Sequence, residues 1–216
     1  MVWSALWGYA EILVITPRHN ISHWEKTGSI DNPQAAKESW GRLQKAIILN
    51  SSNAEFYMDL ARLATLLANA AKLASPDKNQ FQDQAINNLK LTLSKRPTWG
   101  LAWAKLAQAY ANDSKHTSDF IQALERAIYF EPYSELSQQH IIPLGIAHWG
   151  MLPDSLKKDL RGMVKDALRY HSELAISIIK TAVAYDWTVE LTLLIENKAQ
   201  KQLIEKEIIE KSTFNE

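Results

Sequence analysis

The sequence predicts an all-α chain, a short solenoid of helical hairpins continued by further helices, and three observations carry that expectation. Apolar residues recur at helical spacing, only seven glycines are present, and the β-branched residues scatter instead of alternating. A helix pattern closed by proline occurs twice at a shift of 35 residues, INNLKLTLSKRP from Ile86 to Pro97 and IQALERAIYFEP from Ile121 to Pro132. A third copy, WGRLQKAIILNS from Trp40 to Ser51, starts 46 residues before the first of these, with Ser51 where the others have proline. Repetition near a period of roughly 34 residues is the mark of stacked helix–turn–helix units, none of which buries its apolar faces alone.

The segment from Pro97 to Pro132 reads as one complete unit. Trp103, Leu106, Ala107 and Tyr110 reproduce the W-x2-L-G-x2-Y signature of a tetratricopeptide helix A, with Ala in place of Gly. Trp103, Leu106 and Tyr110 fall at i, i+3 and i+7 on one helical stripe, and the alanines between them admit a partner helix. Leu124, Ala127 and Pro132 fall where helix B and its closing proline belong. One inserted turn residue, and Phe120 where the consensus has Ala, mark the unit as degenerate. Upstream, YMDLARLA from Tyr57 matches WAKLAQAY from Trp103 and is the preceding helix A. A long helix is expected from about residue 53 to 73, followed by a turn at SPDKNQ. The repeats span about residues 33–132.

Taken in order, residues 2–16 are apolar apart from Ser4, Glu11 and Thr16. That is short of the ~20 residues that cross a bilayer, and Glu11 opposes insertion. The segment also lacks the basic start and small-residue cleavage site of a signal peptide. It is either a first helix that packs on the solenoid or lies at a membrane surface, or the remnant of a membrane anchor. Thr16-Pro17 resembles an N-cap followed by proline at the first helical position, so a second short helix is expected to run to about Lys26 and stop at Gly28. Asp31-Asn32-Pro33 opens the next helix and Asn50 to Asn53 breaks it. After Pro132 a helix kinked or restarted at Pro143 is expected. Pro153-Asp154 then begins an amphipathic helix with Leu156, Leu160, Met163, Val164, Ala167 and Leu168 on one face. Two more helices meet at Asp186-Trp187. The expected organisation is an N-terminal apolar helix over 1–16, a helical domain over 17–197, and a charged C-terminal helix with a fraying tail over 198–216.

Lys plus Arg equals Asp plus Glu at 24 each, so no global basic field recruits nucleic acid. Cysteine is absent, which excludes disulfides, thiolate nucleophiles and Cys-ligated zinc. No phosphate-cradling glycine loop, nucleophile elbow or H-E-x-x-H motif is found. His19 and His23 have metal-ligand spacing without a third ligand nearby. Asp154 reads as helix N-terminal charge and Asp159 as a solvated residue. His140 and His148 read as partner-bonded rather than ligating. The chain is therefore expected to hold no catalytic residue, metal or cofactor. Arg62 and Gln108 occupy equivalent places in two helix A copies and are the candidate groove residues, either as ligands of a partner or as ordinary half-exposed polar groups. Trp99, just ahead of helix A, is the candidate stacking surface, and Trp103 is expected in the core.

The order WGRLQKAIILNSSNAEFYMDLARLA, ALERAIYFEP, GIAHWGMLP and AVAYDW, spread from about Trp24 to Ile195, resembles the VpsP family of polysaccharide-biosynthesis proteins. The resemblance implies a bacterial cell-envelope protein with an N-terminal anchor and a tetratricopeptide-like domain on the periplasmic face of the inner membrane. This chain departs from that pattern at its start, where the apolar run is shorter than a span and leaves the protein soluble if no anchor is present. The function implied is a non-catalytic scaffold of exopolysaccharide biosynthesis and export that binds a protein of the assembly machine through its groove, with membrane association through residues 1–16. Two alternatives stay open: a glycan-binding module for the polymer, and a general peptide-binding repeat protein unrelated to polysaccharide.

Overall fold

A computed structural model describes residues 2–70, 76–111 and 116–214. Among these it contains eleven α-helices, one 3-10 turn and no strand. The chain divides into two compact units, Met1–Ala102 with Ala109–Asn112, and Trp103–Gln108 with Asp113–Glu216. The division passes through α5, Gly100–Ala111.

In the first unit, α1 is a single helix from Val2 to Thr27. The expected break at Thr16-Pro17 does not occur. Ala10, Val14, Pro17, Ile21 and Trp24 are all buried and follow one another at steps of four and three residues, so one apolar row runs through the proline. An interior proline costs about 3 kcal/mol. Burying side chains the size of Ile21 and Trp24 returns about 1.5–3 kcal/mol each, so the continuous row overrides the local signal. Thr16, instead of capping, accepts a bond from Arg42 Nη1 at 3.4 Å. Gly28, at φ +72°, closes α1 by donating its N–H to the Trp24 carbonyl at 2.9 Å, a left-handed cap that glycine adopts without strain.

Asn32 then caps α2, Pro33–Leu49, through its Oδ1 and the Ala35 N–H, with Pro33 at the first helical position as expected. α3, Ala54–Ala70, packs against α1, α2 and α4, Pro76–Lys95, and buries residues on almost every side, from Phe56 through Ala61 and at Leu63, Ala64 and Ala68. It is the central element of this unit. Pro76 to Gln80, where a turn was expected, are helical. Leu73 and Ser75 lie outside the described residues. Ala10, Val14, Ile21 and Trp24 share one core with Leu43, Ala46, Phe56, Leu60 and Leu63. Residues 2–16 are therefore half of a packed helix, and among the described residues no helix is long and apolar enough to cross a membrane.

In the second unit α6, Thr117–Phe130, packs on α7, Glu135–Ala147, and on α8, Asp154–Tyr170. α7 runs through Pro143 without a restart, because Gln138, Ile141, Ile142, Gly145 and Ile146 form a buried face that continues past it. A Cβ on Gly145 would stand 2.5 Å from Leu160 Cδ2, so glycine sets the close approach of α7 to α8. The six apolar residues expected on one face of α8 are all buried. α9, Ser172–Ala184, and α10, Thr188–Leu194, join at Asp186, whose φ is +55°, and Trp187. α11, Lys198–Phe214, packs on α9 and serves as a cap for two helix ends. Gln200 Nε2 donates to the Leu168 carbonyl of α8 at 2.9 Å, and Lys211 Nζ donates to the Val183 carbonyl of α9 at 2.8 Å while pairing with Asp186 at 2.9 Å. The C-terminal helix is thus anchored to α8 at Gln200 and to α9 at Lys211.

Trp24 is 2% exposed and carries the C-terminal half of the α1 row. Trp24→Ala is expected to destabilise the protein by about 3–5 kcal/mol through the cavity it leaves. Urea unfolding followed by circular dichroism checks this, and a loss under about 1 kcal/mol would show that α1 is only loosely attached.

Candidate functional site

The polar face of α1 is a second row, Trp7, Glu11, Arg18 and Glu25, spaced by four, seven and seven residues and so aligned along one side. Asp59 projects from α3 towards it and is 4% exposed. A carboxylate so far from water requires charged partners. Arg18 supplies one, its Nε 2.7 Å from Asp59 Oδ2, and reaches Glu11 and Glu55 at 3.2 Å with its terminal nitrogens. Arg62 supplies the other, its Nη1 3.1 Å from Asp59 Oδ1, and closes a two-pronged pair with Glu25 through Nε and Nη2. Four carboxyl groups meet two guanidiniums, a formal charge of −2 when all four are ionised, and Asn53 donates to Glu11 at 2.9 Å. Glu11 and Glu55 face solvent at the rim, with the half-exposed Trp7 on the same row.

Burial pushes the Asp59 carboxyl above the usual carboxylate range, outweighing the two arginines. On Arg18 and Arg62 partial burial pulls downward, but hydrogen bonds and the surrounding carboxylates prevail and hold both guanidiniums protonated. Beyond this face, Asp31 behaves in the opposite way to Asp59. The Trp24 indole donates to it at 2.7 Å and His23 lies at 3.2 Å, and these contacts hold its carboxyl below the usual range.

The residues singled out from the sequence are dispersed. Arg62 faces α1, and its guanidinium is engaged by Glu25 and Asp59, so it acts as a bridge between two helices. Gln108 is exposed on α5. Trp99 is half-buried and the Arg96 guanidinium lies 4.6 Å from its ring centre, which covers one face of the indole. Leu106, Ala107, Tyr110, Leu124 and Ala127 are buried. Trp103 is not: it is half-buried, with the Arg126 guanidinium 5.4 Å from its ring. An aromatic ring of this size covers apolar surface with one side while the other receives a cation. Pro132 follows the end of α6, and its carbonyl accepts from Gln138 Nε2 at 2.8 Å. His19 is exposed, His23 is engaged with Asp31, and the His148 Nδ1–H donates to the Leu144 carbonyl at 2.9 Å. Sequence reasoning missed Arg18 and Asp59. The signal was present: Asp59 is the lone acid within the apolar run FYMDLA, and an acid in a buried run calls for a cation nearby.

Carbon-detected titration is expected to show Asp31 ionising below and Asp59 above the ordinary value of about 3.9. The lowered group stabilises the fold at neutral pH, and that contribution is lost as pH falls through its folded value. For the raised group the folded state keeps a proton that the unfolded chain releases, so its contribution declines as pH rises from the ordinary value through the folded one. Asp31→Asn and Asp59→Asn should remove these opposite slopes from the pH–stability curve. Titration of both carboxyls together at the ordinary value would contradict the geometry.

No family model, no curated protein and no solved structure matches this chain.

Proposed function

We propose that the protein is a non-catalytic adaptor of bacterial exopolysaccharide assembly that docks a protein partner on the face shared by α1 and α3. The observation that supports this reading is the arrangement on that face, where four carboxylates surround two guanidiniums beside Trp7, a large aromatic 49% exposed. Rigid helices that hold an aromatic anchor beside a charged rim have the composition of a protein interface. The net negative charge selects a basic segment on the partner and raises its rate of encounter. The polysaccharide context comes from the order of sequence motifs, and the adaptor role from the helical hairpins. In this reading the protein works at the bacterial envelope.

The test is genetic and biochemical together. Deleting the gene in the producing organism is expected to abolish or shorten secreted polymer, and the parent chain to restore it. Trp7→Ala, which removes no core residue, should melt within about 2 °C of the parent yet fail to restore polymer. Unchanged polymer after deletion would sink the polysaccharide reading. Full rescue by Trp7→Ala would move the docking face elsewhere on the molecule.

A further inference from the structure

In the second unit a cleft opens where the last turns of α8 meet the joint between α10 and α11. Its volume is about 170 Å3. That is below the roughly 300–1,000 Å3 of pockets for drug-sized ligands, and suits a group the size of one sugar ring. Lys165 and Arg169, one helical turn apart, stand on one wall. Leu194 supplies an apolar surface, and Asn197 and Gln200 supply amides.

The amides are held in one orientation. Asn197 Oδ1 accepts the Ala199 N–H at 2.8 Å, which leaves its NH2 group as a donor. Gln200 Nε2 donates to the Leu168 carbonyl at 2.9 Å, which leaves Oε1 as an acceptor. The cleft therefore offers two cations, one neutral donor and one acceptor. A bare anion satisfies the cations and leaves the acceptor without a proton. A group bearing both a carboxylate and hydroxyls satisfies all of them.

The two cations already share one carboxylate from within the chain. Glu196 lies 3.2 Å from Lys165 Nζ and 3.4 Å from Arg169 Nη2. It sits in the non-helical joint between α10 and α11, and its side chain is 69% exposed. An ion pair so open to water is worth little and exchanges readily for a better-placed carboxylate.

We propose that this cleft binds a sugar acid, with Lys165 and Arg169 gripping the carboxylate, Asn197 and Gln200 reading ring hydroxyls, Leu194 backing the ring, and Glu196 holding the place of the ligand carboxylate until it arrives. The inference rests on the cleft and stands apart from the docking face on α1 and α3. It gives the protein contact with an acidic polymer or with a free acidic sugar.

The test is a titration of the full chain followed by backbone amide NMR, using D-galacturonate, with D-galactose and acetate as probes lacking the carboxylate or the ring. Galacturonate is expected to shift the amides of residues 194–200 and to saturate with Kd on the order of 1 mM, as the small size of the ligand implies. Galactose and acetate should bind at least about tenfold more weakly, Arg169→Gln should weaken galacturonate about tenfold, and Glu196→Gln should tighten it severalfold by removing the internal competitor. A merely structural Glu196 would not produce tightening. Trigalacturonate separates the sources: tighter binding than the monomer identifies a residue within a polymer, and weaker binding identifies the free sugar acid. Absence of saturable shifts, equal binding of acetate, or weakening by Glu196→Gln would overturn the proposal. Secreted polymer is not read in this experiment, so its failure leaves the adaptor reading untouched.

Discussion

A carboxylate buried to the extent of Asp59 is tolerated only where cations reach it, and that requirement fixes how α1 lies on α3. Arg18 reaches across from α1 to Asp59, and Arg62 holds Asp59 with one nitrogen while gripping Glu25 of α1 with two others. The two contacts on α1 are seven residues apart, two turns of helix, so α1 cannot slide or rotate on α3 without breaking one of them. Alongside them the apolar row from Ala10 to Trp24 shares one core with Phe56, Leu60 and Leu63. Polar pairing sets the register, and apolar burial supplies the free energy.

The same constraint gives residues 2–16 their role. Read alone, they are an apolar run too short for a membrane, ending at a helix-start signal. In the folded chain they are the first half of a helix whose second half carries Ile21 and Trp24, and deleting them would remove Ala10 and Val14 from the core they share with Leu43, Phe56 and Leu60. Their outward side still shows Tyr9, Ile12 and Ile15 to solvent.

Much of the fold was legible because helical periodicity is local. The α8 stripe, the Asn32 cap with Pro33, and the break after Leu49 needed only neighbours in sequence. What was not legible was decided at long range. Pro17 looked like a helix start and Pro143 like a kink or a restart, and both lie inside helices because a buried row continues on either side of them. α11 was expected as a charged helix, but nothing in its composition pointed to what it docks on. Its function as a cap depends on Lys211 and Gln200 meeting carbonyls 28 and 32 residues away. Of the site residues, Arg62 was found by its place in the repeat, yet its partner Glu25 lies 37 residues back on α1, beyond the reach of any local pattern.

The central claim is that α1 belongs to the cooperative core of the first unit. Native-state hydrogen exchange of backbone amides measures it directly, because the free energy of opening is read residue by residue. If α1 is core, the amides from Val14 to Trp24, apart from the proline, exchange with the same protection as those from Leu60 to Ala64 in α3, and both lose it together as denaturant is added. If the α1 amides exchange hundreds of times faster while α3 stays protected, α1 is an appendage and the Arg18–Asp59–Arg62 account of the fold is wrong.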